Sequence, residues 1–235
     1  MSITSLQGLR AAITGGTSGL GLALLRELRR RGAEVAFIAR HADRVAEVAK
    51  EVAGSHGIVG DVARKTDTHA LAIQIGNALG GLDLLIHNAS SLGPVPLALL
   101  ADTACEDLED ALATNLVGPF RLTKALLGSL SASARAGRRP LVIHITSDAA
   151  VTPYAGWGAY GASKAALSQL SRIWDEELRE HRVRLLAVDP GDMDTPLHAL
   201  AVPDADPATL KRPQDAALEI VALIERHLQR VEVAA

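Results

Sequence analysis

Short runs of apolar residues without polar alternation recur along this chain, and they constrain its fold more than any other feature. They are "RAAIT" (10–14), "EVAFIA" (34–39), "GIVG" (57–60), "LDLLIH" (82–87), "PLVIHIT" (140–146) and "VRLLAV" (183–188). Each is short, and apolar at successive rather than alternate positions. A strand of that kind is buried on both faces, as in a parallel sheet covered by helices. Between the runs lie stretches with apolar residues at helical spacing: 19–31, 42–53, 66–79, 103–134, 157–180 and 213–228. Parallel neighbours need crossovers, so the alternation predicts an α/β fold. It is read as one doubly wound Rossmann-type domain over 1–235, with six to seven strands in the order 3-2-1-4-5-6 and helices on both faces. The tail "RVEVAA" (230–235) is the candidate for a short seventh strand. A lid over a site is expected within 192–212, a proline- and aspartate-rich stretch after the sixth strand.

Composition removes several function classes. Hydrophobic residues make up 48% of the 235 residues and aromatics 3%, so aliphatic side chains must pack the core, which suits a helix-covered sheet. A net charge of −3 argues against nucleic acid as the main partner. Cys105 is the sole cysteine, which excludes an internal disulfide and fits a reducing cytoplasm. The first residues lack the pattern of a signal peptide, and no run reaches the ~18 apolar residues of a membrane span. No metal is expected. Asp189, Asp192 and Asp194 have no histidine or bidentate glutamate at a matching offset, and the eight histidines are scattered.

The polar motifs fall at strand ends, where ligands bind in an open parallel sheet. "TGGTSGLG" (Thr14, Gly15, Thr17, Ser18, Gly19, Leu20, Gly21) joins the first strand to the first helix. Its glycines would let the backbone turn sharply and bring the helix N-terminus against a pyrophosphate. The second strand ends in Ala39-Arg40 rather than an acid, which favours the 2′-phosphate of NADP(H), with NAD(H) still compatible. The same arginine also reads as a solvated helix-start residue. Asp61, followed by Val62, suits either an adenine amine or a turn. In "HNAS", Asn88 with Ala89 suits either backbone bridging or ligand contact.

"GAYGASKAAL" (158–167) places one of only two tyrosines, Tyr160, four residues before one of five lysines, Lys164, on one helix face. A nearby ammonium is expected to stabilise phenolate and lower the tyrosine pKa, making it an acid–base group. Gly158, Ala159, Gly161, Ala162 and Ser163 would leave room for cofactor and substrate. Ser147, at the end of the fifth strand, could donate to a carbonyl oxygen or serve as a cap. Asn115 sits awkwardly inside a helix just before Gly118-Pro119, which predicts a kink that frees a carbonyl. "DPGDMDTPL" (189–197) supplies Pro190, Gly191, Met193 and Thr195, the last able to face a carboxamide.

In this order the motifs resemble those of the short-chain dehydrogenase/reductase family, over about residues 8–225. The resemblance implies an NAD(P)-dependent oxidoreductase whose catalytic set is Asn115, Ser147, Tyr160 and Lys164. Tyr160 would move the proton of the substrate oxygen, and Lys164 would hold the nicotinamide ribose and tune the tyrosine. Ser147 would fix the substrate oxygen, and Asn115 would hold a relay water. It also implies a homodimer or homotetramer through the helices near 103–134 and 157–180. Two departures stand out: His87 and Ser90 replace the outer residues of the family's Asn-Asn-Ala-Gly, and Ser18 stands where some NADPH-using members carry a basic residue. Gly156-Trp157 and the PGxxDT turn are similar to sepiapterin reductase and related dicarbonyl reductases. The expected partner is a small ketone, aldehyde or dicarbonyl compound, or the corresponding alcohol. Leu92, Val95, Leu97, Val151, Tyr154, Trp157, Met193 and Leu197 predict a mostly apolar pocket with little formal charge. A cofactor sensor of this fold would be expected to have lost Tyr160 or Lys164, whereas an assembly subunit pairing through the long helices need not exclude catalysis.

Overall fold

The six apolar runs form one parallel sheet in the computed structural model, which describes residues 6–229. In chain order the elements begin β1 (Arg10–Thr14), α1 (Gly19–Arg30), β2 (Glu34–Ala39), α2 (Ala42–Glu51), β3 (Ser55–Val59), α3 (Thr68–Leu79), β4 (Leu84–His87) and α4 (Cys105–Leu112). They continue α5 (Gly118–Arg135), β5 (Leu141–Ile145), α6 (Gly158–Glu177), β6 (Arg184–Val188), α7 (Pro196–Ala201) and α8 (Pro213–Gln229). The strand order is β3-β2-β1-β4-β5-β6, the order expected of a Rossmann-type domain. The candidate seventh strand, 230–235, lies outside the described residues. Among those residues no helix is long and apolar enough to cross a membrane.

The period-two geometry of a strand explains why the runs do not alternate in polarity. Ala11, Ile13, Phe37, Ile86 and Ile143 point into one core, shared with Leu24 and Leu28 of α1 and Val221 of α8. Ala12, Ile38, Leu85 and Val142 point into a second core, shared with Leu71 of α3, Leu126 of α5 and Trp174 of α6. Burying each such aliphatic side chain contributes roughly 1.5–3 kcal/mol, so both faces demand apolar residues.

One stretch departs from the sequence reading. The single helix expected over 103–134 is α4 and α5 joined by a π turn at Ala113–Val117, with Asn115 at its centre. The kink is therefore an inserted residue. Pro119, just past the π turn, has no N–H to continue the ladder after the bond from Gly118 N to the Ala113 carbonyl. The stretch 192–212 is ordered by α7, a 3-10 turn at Pro207–Thr209 and a bridge between Met193 and Lys211.

At the N-terminal edge of the sheet, Asp83 is buried and accepts hydrogen bonds from Arg10, Ser133 and Arg138. Burial alone would raise this carboxyl, but the bonds from Arg10 and Ser133 outweigh it and hold the pKa below the usual range.

At the opposite edge His87 and His144 stand side by side, in register on β4 and β5, with ring centroids 4.9 Å apart. His144 Nδ1 lies 2.6 Å from Ser171 Oγ, and His87 Nε2 lies 2.7 Å from Thr123 Oγ1. Ser171 gives its own proton to the Leu167 carbonyl, so His144 Nδ1 must be the donor and Nε2 is left bare. Burial pushes both imidazoles toward the neutral form, His144 to a pKa of about 3 and His87 well below its ordinary value. Acid should therefore cost stability. Below about pH 6.5 the unfolded chain takes up protons that the folded chain refuses, giving a slope of up to ~1.4 kcal/mol per pH unit for each histidine. Urea unfolding midpoints should fall from pH 7 to pH 5, and His144→Asn should make that fall smaller. Equal wild-type midpoints at the two pH values would contradict neutral burial.

Candidate active site

A cavity of about 850 Å³ opens over the C-terminal ends of the strands, spanning the point between β1 and β4 where the strand order reverses. One half is the β1–α1 turn. Gly15, Thr17, Ser18, Gly19 and Leu20 form its wall, with Gly15 at a φ of 72°. A Cβ at Gly21 would lie 2.1 Å from the Gly15 carbonyl oxygen, so only glycine lets α1 press against the turn. Ser18 stands at the N-cap without using its side chain as a cap, and the first helical bond runs from Leu22 N to Ser18 O. The N–H groups of Gly19, Leu20 and Gly21 thus lack helical partners and suit an anion. Arg40 and His41 carry the wall past the end of β2, Asp61 and Val62 past β3, and Asn88 and Ala89 past β4. This donor set fits the pyrophosphate and adenosine end of a nicotinamide dinucleotide.

Three expected site residues are not on the wall. Thr14 is buried, and its hydroxyl accepts from Asn88 N (3.0 Å) and Ala89 N (3.1 Å). Gly21 is enclosed by the turn. Asn115 is buried within its π turn: its Oδ1 accepts from Ser90 Oγ and Ser91 N, and its Nδ2 donates to Ser91 O and Ser163 Oγ. Its side chain thus bridges the segment after β4 to α6, with every polar atom committed.

Other expected residues line the cavity while serving the fold. Asn88 Nδ2 donates to the Thr14 and Gly15 carbonyls, each at 3.1 Å, so the bridging reading describes its side chain. Asp61 Oδ1 accepts from Ala63 N as a turn residue. Thr195 Oγ1 caps α7 by accepting from His198 N. Pro190, Gly191 and Met193 complete that side.

In the other half Ser147, Tyr160 and Lys164 converge. Lys164 Nζ donates to the Ile145 carbonyl (2.8 Å) and sits 5.4 Å from the centre of the Tyr160 ring, while Trp157 meets that ring edge-on. The expected drop in phenol pKa is absent. Burial raises Tyr160 to about 12, and the hydroxyls of Ser147 and Ser90 pull it down less strongly. Burial also lowers Lys164 to about 7, so near neutrality its ammonium is only partly charged and offers the phenolate little help. The small residues around Tyr160 also do other work. A Cβ at Gly158 would strike Leu100, and one at Gly161 would lie 2.9 Å from the Ala149 carbonyl oxygen. They let α6 close onto its own neighbouring loops.

The wall is also more charged than expected. Asp110, Asp148, Asp189 and Asp192 join Leu92, Val95, Tyr154, Trp157 and Leu197. Leu97 instead packs beside the Leu92–Tyr160 cluster, and Val151 is 84% exposed, away from the wall. Asp189 and Asp192 belong to the motif after the sixth strand, and Asp148, directly after Ser147, carries the same strand-end signal.

A family model described as short chain dehydrogenase matches residues 10–206. Serine 3-dehydrogenase of Agrobacterium fabrum is 31% identical over 185 residues, covering 78% of this chain and 71% of that protein. A short chain dehydrogenase of Escherichia coli solved with NADPH superposes with a TM-score of 0.85 at 26% identity, covering 95% of this chain and 92% of that one. A 3-ketoacyl-(acyl-carrier-protein) reductase of Brucella melitensis solved with NADH shares the fold, with a TM-score of 0.87 at 24% identity over 93% and 91% of the two chains.

Lys164 is 2% exposed, and its burial should cost the protein stability. Between its folded pKa of about 7 and the ordinary 10.5, the unfolded chain holds a proton that the folded chain lacks. Stability is therefore lost as pH falls through that window. Lys164→Met should raise stability at pH 7 by roughly 1–3 kcal/mol, an advantage that shrinks toward pH 10. Thermal unfolding at both pH values checks this; a destabilised variant at pH 7 would mean that the Ile145 contact outweighs desolvation.

Proposed function

The chain belongs to the short-chain dehydrogenase family and is a nicotinamide-dependent oxidoreductase, and we propose that it uses NADPH to reduce small ketones, aldehydes or dicarbonyl compounds, or runs the reverse oxidation. The observation that carries this reading is the convergence of Ser147, Tyr160 and Lys164 in the cavity that also holds the N-terminus of α1. The whole described chain serves as one cofactor-binding unit.

A bound nicotinamide supplies or takes the hydride. The protein's part is to hold and move a proton. The buried phenol of Tyr160 keeps its proton at neutral pH and can give it to a carbonyl oxygen as charge develops there. Ser147 would share that oxygen, and Lys164 would donate to a ribose hydroxyl. Asn115 acts through its hydrogen bonds to Ser90, Ser91 and Ser163, which hold the wall behind the phenol. A water held at Asn115 would continue the proton relay. The wall's carboxylates favour neutral or cationic substrates over anionic ones.

Arg40 supports the choice of NADPH, because it stands on the wall at the end of β2 with no acid beside it to take a ribose 2′-hydroxyl. Phe120 of α5 and Ile173 of α6 are exposed, which supports pairing of two copies through these helices. Free Cys105 fits a cytoplasmic setting.

Two outcomes follow. NADPH should bind at least about tenfold more tightly than NADH, ~1.4 kcal/mol, and Arg40→Ala should remove most of that gap while leaving NADH binding unchanged. Equal affinities in the wild type, read by fluorescence titration, would rule out the preference. In a carbonyl panel with NADPH, Tyr160→Phe should lower turnover at least ~100-fold with cofactor affinity within about threefold. Wild-type turnover in that variant would remove Tyr160 as the proton donor.

A further inference from the structure

Ser147 does not stand alone beside Tyr160. Its Oγ donates to Asp148 Oδ1 (3.0 Å) and accepts from Ala149 N (3.2 Å). Tyr154 Oη donates to the other carboxylate oxygen, Asp148 Oδ2, at 2.7 Å. We propose that Asp148, clamped by Tyr154, is a positioning residue that takes the Ser147 proton and thereby keeps the Tyr160 phenol protonated in the resting site. The proposal rests on Tyr160 being the proton donor.

The argument is one of hydrogen-bond supply. A hydroxyl has one proton to give. If the Ser147 proton were free it could donate to a phenolate and stabilise the ionised form of Tyr160. Committed to Asp148, it cannot. Ser147 then loses most of the downward pull that a hydroxyl with a free proton exerts on the phenol.

The charge of Asp148 works in the same direction, as does that of Asp189 from beyond β6, while Lys164 from α6, with a pKa of about 7, is neutral where the phenol titrates. The uncharged hydroxyls of Ser147 and Ser90 pull the phenol pKa down, and commitment of the Ser147 proton to Asp148 weakens the first of these.

An alternative role for Asp148, direct capture of a cationic substrate, is disfavoured by its occupancy. Its carboxylate already accepts from Ser147, Tyr154 and backbone N–H groups, which also hold its pKa below the usual range. Asp148 and Tyr154 are exposed at the cavity rim, so substitutions there leave both cores intact. A carbonyl oxygen entering the site must win the Ser147 proton from Asp148, and so the pair releases that proton only when substrate is present.

The chain's two tyrosines are Tyr154 and Tyr160, so protein labelled with carbon-13 at tyrosine Cζ gives two signals, which Tyr160→Phe assigns. In wild-type protein the Tyr160 signal should stay that of the phenol up to about pH 11. Asp148→Ala should move its titration down by at least about one pH unit. Asp148→Asn, which keeps an acceptor for Ser147 but loses the charge, should move it by less. Turnover should show the same order: the alkaline limb of the kcat profile for reduction shifts to lower pH, with substrate KM within about threefold.

An unmoved Tyr160 titration in Asp148→Ala overturns the proposal, as does a large rise in KM with the titration unchanged, which would make Asp148 a substrate anchor. The outcome stays separable from the proton-donor reading. Wild-type turnover in Tyr160→Phe defeats that reading, whereas the titration tests the coupling of Asp148 to the phenol without any turnover.

Discussion

Burial of the sheet on both faces governs where chemistry can occur in this molecule. Within β1, β2, β4 and β5 nearly every side chain enters one of two apolar cores, so polar groups are confined to the strand ends. At the N-terminal edge they are spent on structure, with Asp83 binding Arg10, Ser133 and Arg138. At the C-terminal edge the order reversal between β1 and β4 parts the crossovers and leaves space between them. Some polar groups there bind one another, and others, Arg40, Ser147, Tyr160 and Lys164 among them, line the cavity.

That cavity is held by residues that do not line it. Thr14 fixes the chain after β4 through Asn88 and Ala89, and Asn88 returns two bonds to the turn after β1. Asn115 joins the segment after β4 to α6 through Ser91 and Ser163, and Ser163 in turn donates to the Tyr160 carbonyl. The phenol and the ammonium are thus placed by buried amides and hydroxyls with all their partners satisfied, and such networks are stiff. Stiffness is what allows Lys164 to remain desolvated. A looser site would let water reach its ammonium and restore its ordinary basicity.

Much of this was legible in the sequence, because strand ends and helix starts are local features. Strand positions and the glycine turn follow from runs and spacings of a few residues, and the strand-end motifs lead to Arg40, Ser147, Tyr160 and Lys164, which line one cavity. What was not legible depends on distant contacts. Thr14 and Asn115 carry the residue types of a binding site, yet their polar atoms face other parts of the chain. The small residues of 158–163 read as space for a ligand, whereas Leu100 and the Ala149 carbonyl fill that space. The phenol pKa was misread for a related reason. Charge proximity can be read from spacing, but desolvation depends on what the rest of the fold stacks around a pair, and here desolvation is larger.

The π turn at Ala113–Val117 makes the length of this helix as consequential as its composition. One inserted residue rotates everything beyond it by ~100° about the axis relative to an uninterrupted α-helix. The apolar stripe of α5, with Leu122, Leu126 and Leu130 in the second core, is therefore phased independently of α4. Loss of a single residue here would turn one of the two stripes toward solvent and carry Asn115 out of its pocket. The same loss in an exposed loop would only shorten the loop. The helix behaves as a vernier, in which one extra division brings two separately ruled scales into coincidence with the sheet.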